Sequence, residues 1–193
     1  MRVIAGSLRG RPIKAPEVRT TRPTLDRVRE SIFNVLETLL QRRGLVYEKL
    51  AFLDVFAGSG AMGIESLSRG GMTAGFIEQN HQAFITIKAN LERFDLNENS
   101  WCYRRNALKP GDAHTRYDVI FLDPPYEKNI GPKALLRLDQ ELWLKKECLV
   151  ILEISQKENL PSLEGFDLLE RRSYGTVQVL FFARQPENDE IRP

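Results

Sequence analysis

The chain has 193 residues, 42% of them hydrophobic and 28% charged, enough for one α/β domain with a full core. No apolar run approaches a bilayer span and the opening MRVIAGSLRG has no signal-peptide core, so a cytoplasmic protein without a membrane partner is expected. The net charge of +2 conceals an asymmetry: residues 1–29 carry +6 and the remainder −4, the pattern of a polyanion grip on a near-neutral domain.

In chain order, residues 2–5 and 11–15 read as two short strands of a hairpin, with Gly6, Ser7 and Gly10 between them. Arg9, Arg11 and Lys14 would project from this thin ribbon. Residues 16–23, holding Pro16, Arg22 and Pro23, read as an extended connector. From Thr24, a suitable N-cap, the residues Leu25, Val28, Ile32, Val35, Leu36 and Leu39 follow a helical period that ends near Gly44. The other faces of that helix would show Arg27, Arg29, Glu30 and Asn34, directly after the basic connector.

A strand–turn–helix unit follows. Residues 51–56 (AFLDVF) form a buried strand, and Gly58-Ser59-Gly60-Ala61-Met62-Gly63 opens a helix running to about Arg69. The glycines permit a tight turn and bring a ligand close to backbone N–H groups at a helix N-terminus. The second strand, 73–78, ends in Glu78, twenty positions after Gly58. A carboxylate there can hydrogen-bond the ribose hydroxyls of an adenosine ligand. Residues 80–94 predict a helix packed through Phe84, Ile87, Leu91 and Phe94. A third strand, 100–105, is followed by Asn106, where a strand end would reach an adenine ring. Cys102 and Cys148 sit far apart in apolar runs and read as buried free thiols. His81 and His114 have no ligand-type neighbour, so no metal is expected.

The fourth strand, Tyr117–Leu122, runs into Asp123-Pro124-Pro125-Tyr126. Proline has no N–H and a fixed φ, so this loop cannot extend a sheet ladder, and each residue before a proline is pushed towards extended backbone. Their carbonyls then face outward as acceptors. Such a loop suits the exocyclic amine of a nucleobase: Asp123 and a proline carbonyl accept its two N–H groups while the Tyr126 ring stacks on the base. A helix over 132–144, a fifth strand over 147–154 and a hairpin of 166–174 with 176–183 around Gly175 complete the pattern, before a polar tail. Alternating strands and helices predict an open, mostly parallel sheet, whose ligands bind outside the strand carboxyl ends. The glycine turn, Glu78, Asn106 and Asp123–Tyr126 all fall there.

With these residues in view, the chain resembles the S-adenosylmethionine-dependent amino-methyltransferases. Asp-Val-Phe-Ala-Gly-Ser-Gly (54–60) matches their cofactor loop and Asp-Pro-Pro-Tyr their catalytic loop. More closely it resembles the bacterial RsmD family, through Arg2-Val-Ile-Ala-Gly6, Arg9-Gly10-Arg11, and Arg22-Pro-Thr-Leu-Asp-Arg-Val-Arg-Glu30 with Phe33-Asn34. The resemblance implies a Rossmann-like methyltransferase fold: a seven-stranded sheet with a C-terminal antiparallel hairpin and a small N-terminal β-hairpin extension. It implies a basic extension over 1–23, a catalytic domain over 24–184 and a tail over 185–193.

The implied activity is methyl transfer from S-adenosylmethionine to guanine N2 of small-subunit ribosomal RNA, of the guanine-966 type, by a monomer without metal. Its substrate would be naked RNA, the small subunit or an assembly intermediate. Asp54, Phe56, Gly58, Ser59, Gly60, Glu78 and Asn106 would hold the cofactor, with Asp54 near its methionyl end, Glu78 on its ribose and Asn106 by its adenine. Asp123, Pro124, Pro125 and Tyr126 would be catalytic, and Arg9, Arg11, Lys14, Arg22, Thr24 and Arg27 would contact RNA. Three rivals compete: amino-methylation of adenine N6 or cytosine N4 in DNA, a nucleotide-dependent oxidoreductase, and a non-catalytic RNA-binding protein.

Overall fold

The computed structural model describes residues 1–16, 24–125 and 129–186. The connector beyond residue 16, the side chain of Thr24, Tyr126 and the tail beyond 186 lie outside the described residues. The apolar runs pair as one seven-stranded sheet. Strands β1 (Ala51–Val55), β2 (Thr73–Ile77), β3 (Ser100–Tyr103), β4 (Tyr117–Leu122) and β5 (Leu144–Ser155) are parallel, while β6 (Phe166–Tyr174) and β7 (Val177–Arg184) form the antiparallel hairpin. The order is β3-β2-β1-β4-β5-β7-β6. Chain direction across the sheet reverses between β1 and β4, which opens a crevice at their carboxyl ends where such sheets take ligands.

Strand alternation assigns the two faces. Phe52, Phe76, Val119, Phe121, Ile151, Val179 and Phe181 point to one side, under helices α1 (Thr24–Arg42), α2 (Ala61–Ser68) and α3 (His81–Arg93). Leu53, Val55, Ile77, Ile120, Leu122, Val150 and Leu152 point to the other, where α4 (Ile130–Gln140) packs through Ala134, Leu135 and Leu138. On α1 the buried stripe is Ile32, Phe33, Leu36, Leu39 and Leu40. It lies slightly round the helix from the predicted one and carries Arg29 inward with it. Gly44 ends the helix with φ +64, as Leu45 N–H closes onto the Leu40 carbonyl.

The N-terminal hairpin differs from expectation. Its pairing narrows to one antiparallel bridge, Arg2 with Pro12, and the segment lies flat on α2 and α3 instead of projecting. Three buried polar side chains take its backbone groups. Glu65 accepts Ile4 N–H (2.8 Å) and Ala5 N–H (2.9 Å). Ser68 Oγ donates to Ala5 O (2.6 Å) and accepts Leu8 N–H (3.0 Å). Asn90 accepts Lys14 N–H (3.0 Å) and donates to Lys14 O (2.9 Å). Amides satisfied by side chains need no strand partner. Gly6 permits the approach, since a Cβ there would stand 1.7 Å from the Ser68 carbonyl oxygen. Val3 and Ile13 are buried with Ile64, Phe76, Ile87 and Leu91.

Other differences concern boundaries. The helix predicted over 132–144 spans Ile130–Gln140 and the fifth strand begins at Leu144. Trp143 and Leu144 continue the helical apolar period, but Leu142 turns left-handed (φ +60) and Trp143 N–H closes back on the Leu138 carbonyl. The third strand stops at Tyr103, and Phe84 is only half-buried on α3, whose inward face is Ala83, Thr86, Ile87, Asn90 and Leu91. Cys148 is buried and Cys102 half-buried, both as free thiols. Among the described residues no helix is long and apolar enough to cross a membrane, and no group of His, Cys, Asp and Glu could hold a metal ion.

Candidate active site

The turn after β1 is built from unusual backbone. Phe56 takes φ +61, Gly58 φ +56 and Gly60 φ +79. The glycines adopt this region at no steric cost, whereas a bulky aromatic there is an outlier that surrounding structure must hold. Two carboxylates hold it. Glu78, just past β2, accepts Gly58 N–H (2.9 Å) through one oxygen and Asn80 N–H (2.7 Å) through the other. Asp54, on β1 and 4% exposed, accepts Gly63 N–H (3.1 Å) in the first turn of α2. It therefore does from a neighbouring strand what an N-cap side chain does locally. Burial pushes its carboxyl up to about 8, opposed by the Gly63 amide and assisted by the charges of Asp123 and Glu78. The turn is also tied to the N-terminal segment, because the Asn90 amide donates to the Ser59 carbonyl (3.0 Å) as well as to Lys14 O.

Across the crevice, Pro124 is buried and Pro125 exposed. The first turn of α4 presses on Pro124 at Gly131, where a Cβ would come within 3.1 Å of the proline ring and 2.6 Å of Leu152. Glycine at 131 thus lets the helix fix the loop.

A cleft of about 150 Å³ joins these parts. Its sheet-side wall is Asp54, Phe56, Ala57, Gly58, Ser59, Ala61, Met62, Asp123 and Glu153. Its other wall is Met1, Ala15, Pro16, Val28 and Arg29. Asp54, Phe56, Gly58, Ser59 and Asp123 are thereby brought together as the sequence predicted, with Gly60 in the same turn and Glu78 reaching it through Gly58. Asn106 does not line the cleft. It is exposed, and its side chain accepts Leu108 N–H (2.8 Å), as asparagine does in many turns. Arg9, Arg11, Lys14 and Arg27 are exposed outside the cleft. Arg22 and the side chain of Thr24 fall outside the described residues.

Sequence reasoning placed Arg29 on the solvent face of its helix, and this is corrected: Arg29 is 4% exposed. It bonds Asp26 (3.1 Å) and the Arg2 carbonyl, and lies 3.9 Å from Glu65. Its Nε has no hydrogen-bond partner among the described residues. Burial lowers the guanidinium pKa, against the support of Glu65 and Asp26. The signal was its spacing, since 29, 33, 36 and 40 share one helical face. Glu153 was also missed, although a single acid inside the apolar run LVILEI stood out in the sequence.

The site can bind an amphiphilic, positively charged ligand. Asp54, Asp123 and Glu153 bring three acidic side chains to one wall, with Asp54 and Glu153 pushed towards their neutral forms by burial and by their acidic neighbours. Arg29 offers a buried donor on the opposite wall, and Phe56, Val28 and Met62 an apolar lining.

Residues 1–183 match the family described as Conserved hypothetical protein 95. The chain belongs to that family. The resemblance to RsmD proteins holds over most of the chain: Ribosomal RNA small subunit methyltransferase D of Haemophilus influenzae is 32% identical over 190 residues, covering 94% of this chain and 93% of that one. The YlbH protein of Bacillus subtilis is 35% identical over 190 residues, covering 96% and 100%. Among solved structures, Escherichia coli yhhF superposes with a TM-score of 0.84 at 30% identity, covering 97% of this chain and 99% of that one. The Rossmann-like methyltransferase architecture expected from the sequence is the one that forms.

Proposed function

We propose that this protein is a ribosomal RNA methyltransferase that moves a methyl group from S-adenosylmethionine to the exocyclic N2 of a guanine in small-subunit RNA. The observation that carries the reading is that Asp123 and the Gly58–Ser59 turn line one cleft at the β1/β4 switch point. The names of the full-length relatives support the rRNA substrate class. The residues present fit the cofactor: Asp54 suits the ammonium of its methionyl end, the apolar lining of Phe56, Val28 and Met62 suits its carbon skeleton, and Glu78 keeps lone pairs for ribose hydroxyls. Bound S-adenosylmethionine supplies an electrophilic methyl on a positively charged sulfur.

The chain's own residues do the rest. Asp123 and the carbonyls of the Pro-Pro loop accept the two amine N–H groups, which aims the nitrogen lone pair and draws it out of ring conjugation. Positive charge would appear on the nitrogen as it takes the methyl, and Asp123 would stand beside it as a fixed carboxylate, where preorganised groups act most strongly. The proton then leaves nitrogen for Asp123 or water, a step within reach of a weak base because a methylated arylammonium is a strong acid. Alignment of amine and methyl can account for as much as roughly 7–11 kcal/mol of the barrier. Guanine N2 is not freely approachable in a paired helix, so the target base is unpaired or flipped out, with Tyr126 as its stacking partner. Arg9, Arg11 and Lys14, exposed on the docked N-terminal segment, hold flanking phosphates.

Asp123→Ala is expected to bind S-adenosylmethionine normally while losing nearly all tritiated-methyl transfer to rRNA. Near-normal turnover would remove Asp123 from the mechanism. Transfer to DNA and not to RNA would move the assignment to adenine N6 or cytosine N4.

A further inference from the structure

We propose that Glu153 is a positioning residue for Asp123, sharing one proton with its carboxylate and holding that carboxylate turned towards the incoming amine. This rests on the function proposed above. Leu122 of β4 pairs with Leu152 of β5 in parallel register. One step further on, Asp123 leaves the end of β4 next to Glu153 on β5, at the carboxyl end of the sheet. Both line the cleft.

Strand geometry puts the Glu153 side chain on the same face as Ile151, under α1, while Leu152 and Ile154 are buried in the core on the opposite face. Its antiparallel partner is the fully buried Val179 of β7. A leucine or valine would suit this environment, and an acid there carries a desolvation cost. Some task at the cleft must hold it in place.

The charged groups facing it come from every neighbouring element that borders the cleft. Asp54 stands on β1, Asp123 after β4, Arg29 on α1, and Met1 brings the chain's first residue. Arg29 is already engaged by Asp26, Glu65 and the Arg2 carbonyl. Glu153 therefore meets mainly like charge. Two adjacent carboxyls in such a place keep one proton between them, because both cannot ionise cheaply. In agreement, burial first, then the Asp123 and Asp54 charges, push the Glu153 carboxyl well above its ordinary value. A neutral carboxyl donates a hydrogen bond; its neighbour remains an ionised acceptor with one oxygen pinned and the other turned to the cleft.

The test combines titration with kinetics. Carbon-13 carboxyl NMR of the ligand-free protein should show Glu153 ionising well above the ordinary value of about 4.3, and Asp123→Asn should bring it down. With S-adenosylmethionine and rRNA, Glu153→Ala should lower kcat by roughly a hundredfold, the scale of a misplaced reacting group, a larger change than in cofactor Kd. Glu153→Gln, which keeps a neutral donor, should restore most of the rate. It should also remove the alkaline fall in activity that the wild type shows as Glu153 ionises. Ordinary titration of Glu153, wild-type turnover by Glu153→Ala, or equal losses in the Ala and Gln variants would each overturn the role. A wild type that transfers no methyl to RNA would instead overturn the proposed function, and this role with it. Normal wild-type transfer with an insensitive Glu153→Ala would overturn the role alone.

Discussion

The two walls of the cleft are made in different ways. The sheet-side wall comes from the carboxyl ends of β1, β4 and β5, whose register is fixed by parallel ladders and whose turns are short. The opposite wall comes from the chain's first sixteen residues and the first turns of α1. Few ladder hydrogen bonds hold that segment. It is seated by single buried side chains some sixty to eighty residues away in sequence, namely Glu65, Ser68 and Asn90. A ligand in the cleft is therefore gripped between a rigid half and a half that depends on a few polar contacts. On the function proposed above, the basic segment would be part of the cofactor site as well as the carrier of the cations that meet RNA.

The strongest way to break this arrangement is to remove Glu65. That carboxylate is fully buried and serves two backbone amides, the Arg69 Nε (2.9 Å) and the Arg29 guanidinium. Glu65→Ala leaves the Ile4 and Ala5 amides without their acceptor, at about 1–3 kcal/mol for each buried group left unpaired, and takes one of two carboxylate partners from Arg29, which keeps Asp26, and from Arg69, which keeps Glu37. Denaturant unfolding should show that loss, and calorimetric titration should show weaker S-adenosylmethionine binding, although Glu65 does not line the cleft. Unchanged cofactor affinity in a folded Glu65→Ala protein would mean that the two walls act independently.

Asp54 offers a subtler contrast on the rigid wall. Its carboxyl ionises near 3.8 when unfolded and at about 8 in the folded protein. A raised acid makes its full contribution below the unfolded value and loses it as pH rises through the folded one. Asparagine has no such dependence and keeps an acceptor for Gly63 N–H. Thermal unfolding from pH 4 to 9 should therefore show the wild type losing stability relative to Asp54→Asn across about pH 4 to 8. A constant difference across that range would show that Asp54 is ionised throughout.

The difference between the walls is also a difference in legibility. The sheet-side wall could be read from sequence because its cues are local: an apolar run, then glycines or prolines, then an acid at a fixed offset. Asp54, Gly58, Ser59 and Asp123 follow from such cues and from the rule that parallel strands share one functional edge. Arg29 did not, because Leu25 and Val28 suggested a stripe that left it outside, and only Glu65, distant in sequence, reveals why an arginine is stable inside. The ribbon failed as a ribbon for the same reason, since nothing within residues 1–16 announces that Ile4 and Ala5 will find a carboxylate on α2. Trp143 and Leu144 misled in a more ordinary way: two apolar residues fit a helical or a strand period equally well.

Arg9 and Arg11 sharpen the last part of the comparison, the division between seating the segment and holding RNA. Both are exposed, yet they are not equivalent. The Arg11 guanidinium donates to the Arg93 carbonyl (3.0 Å) and lies 4.7 Å from the centre of the Phe94 ring, so its reversal disturbs packing as well as charge. Arg9 is the cleaner probe. Arg9→Glu should leave stability within about 0.5 kcal/mol, as for most surface changes, and leave S-adenosylmethionine affinity unchanged. It should weaken RNA binding and flatten its dependence on log salt by about 0.7–0.9 for each phosphate that Arg9 no longer neutralises. Because the phosphate backbone carries no sequence information, the weakening should be equal for cognate and unrelated single strands. Weakening confined to the cognate RNA would instead assign Arg9 to base recognition, and an equal drop in cofactor affinity would place it with Glu65 in seating the segment.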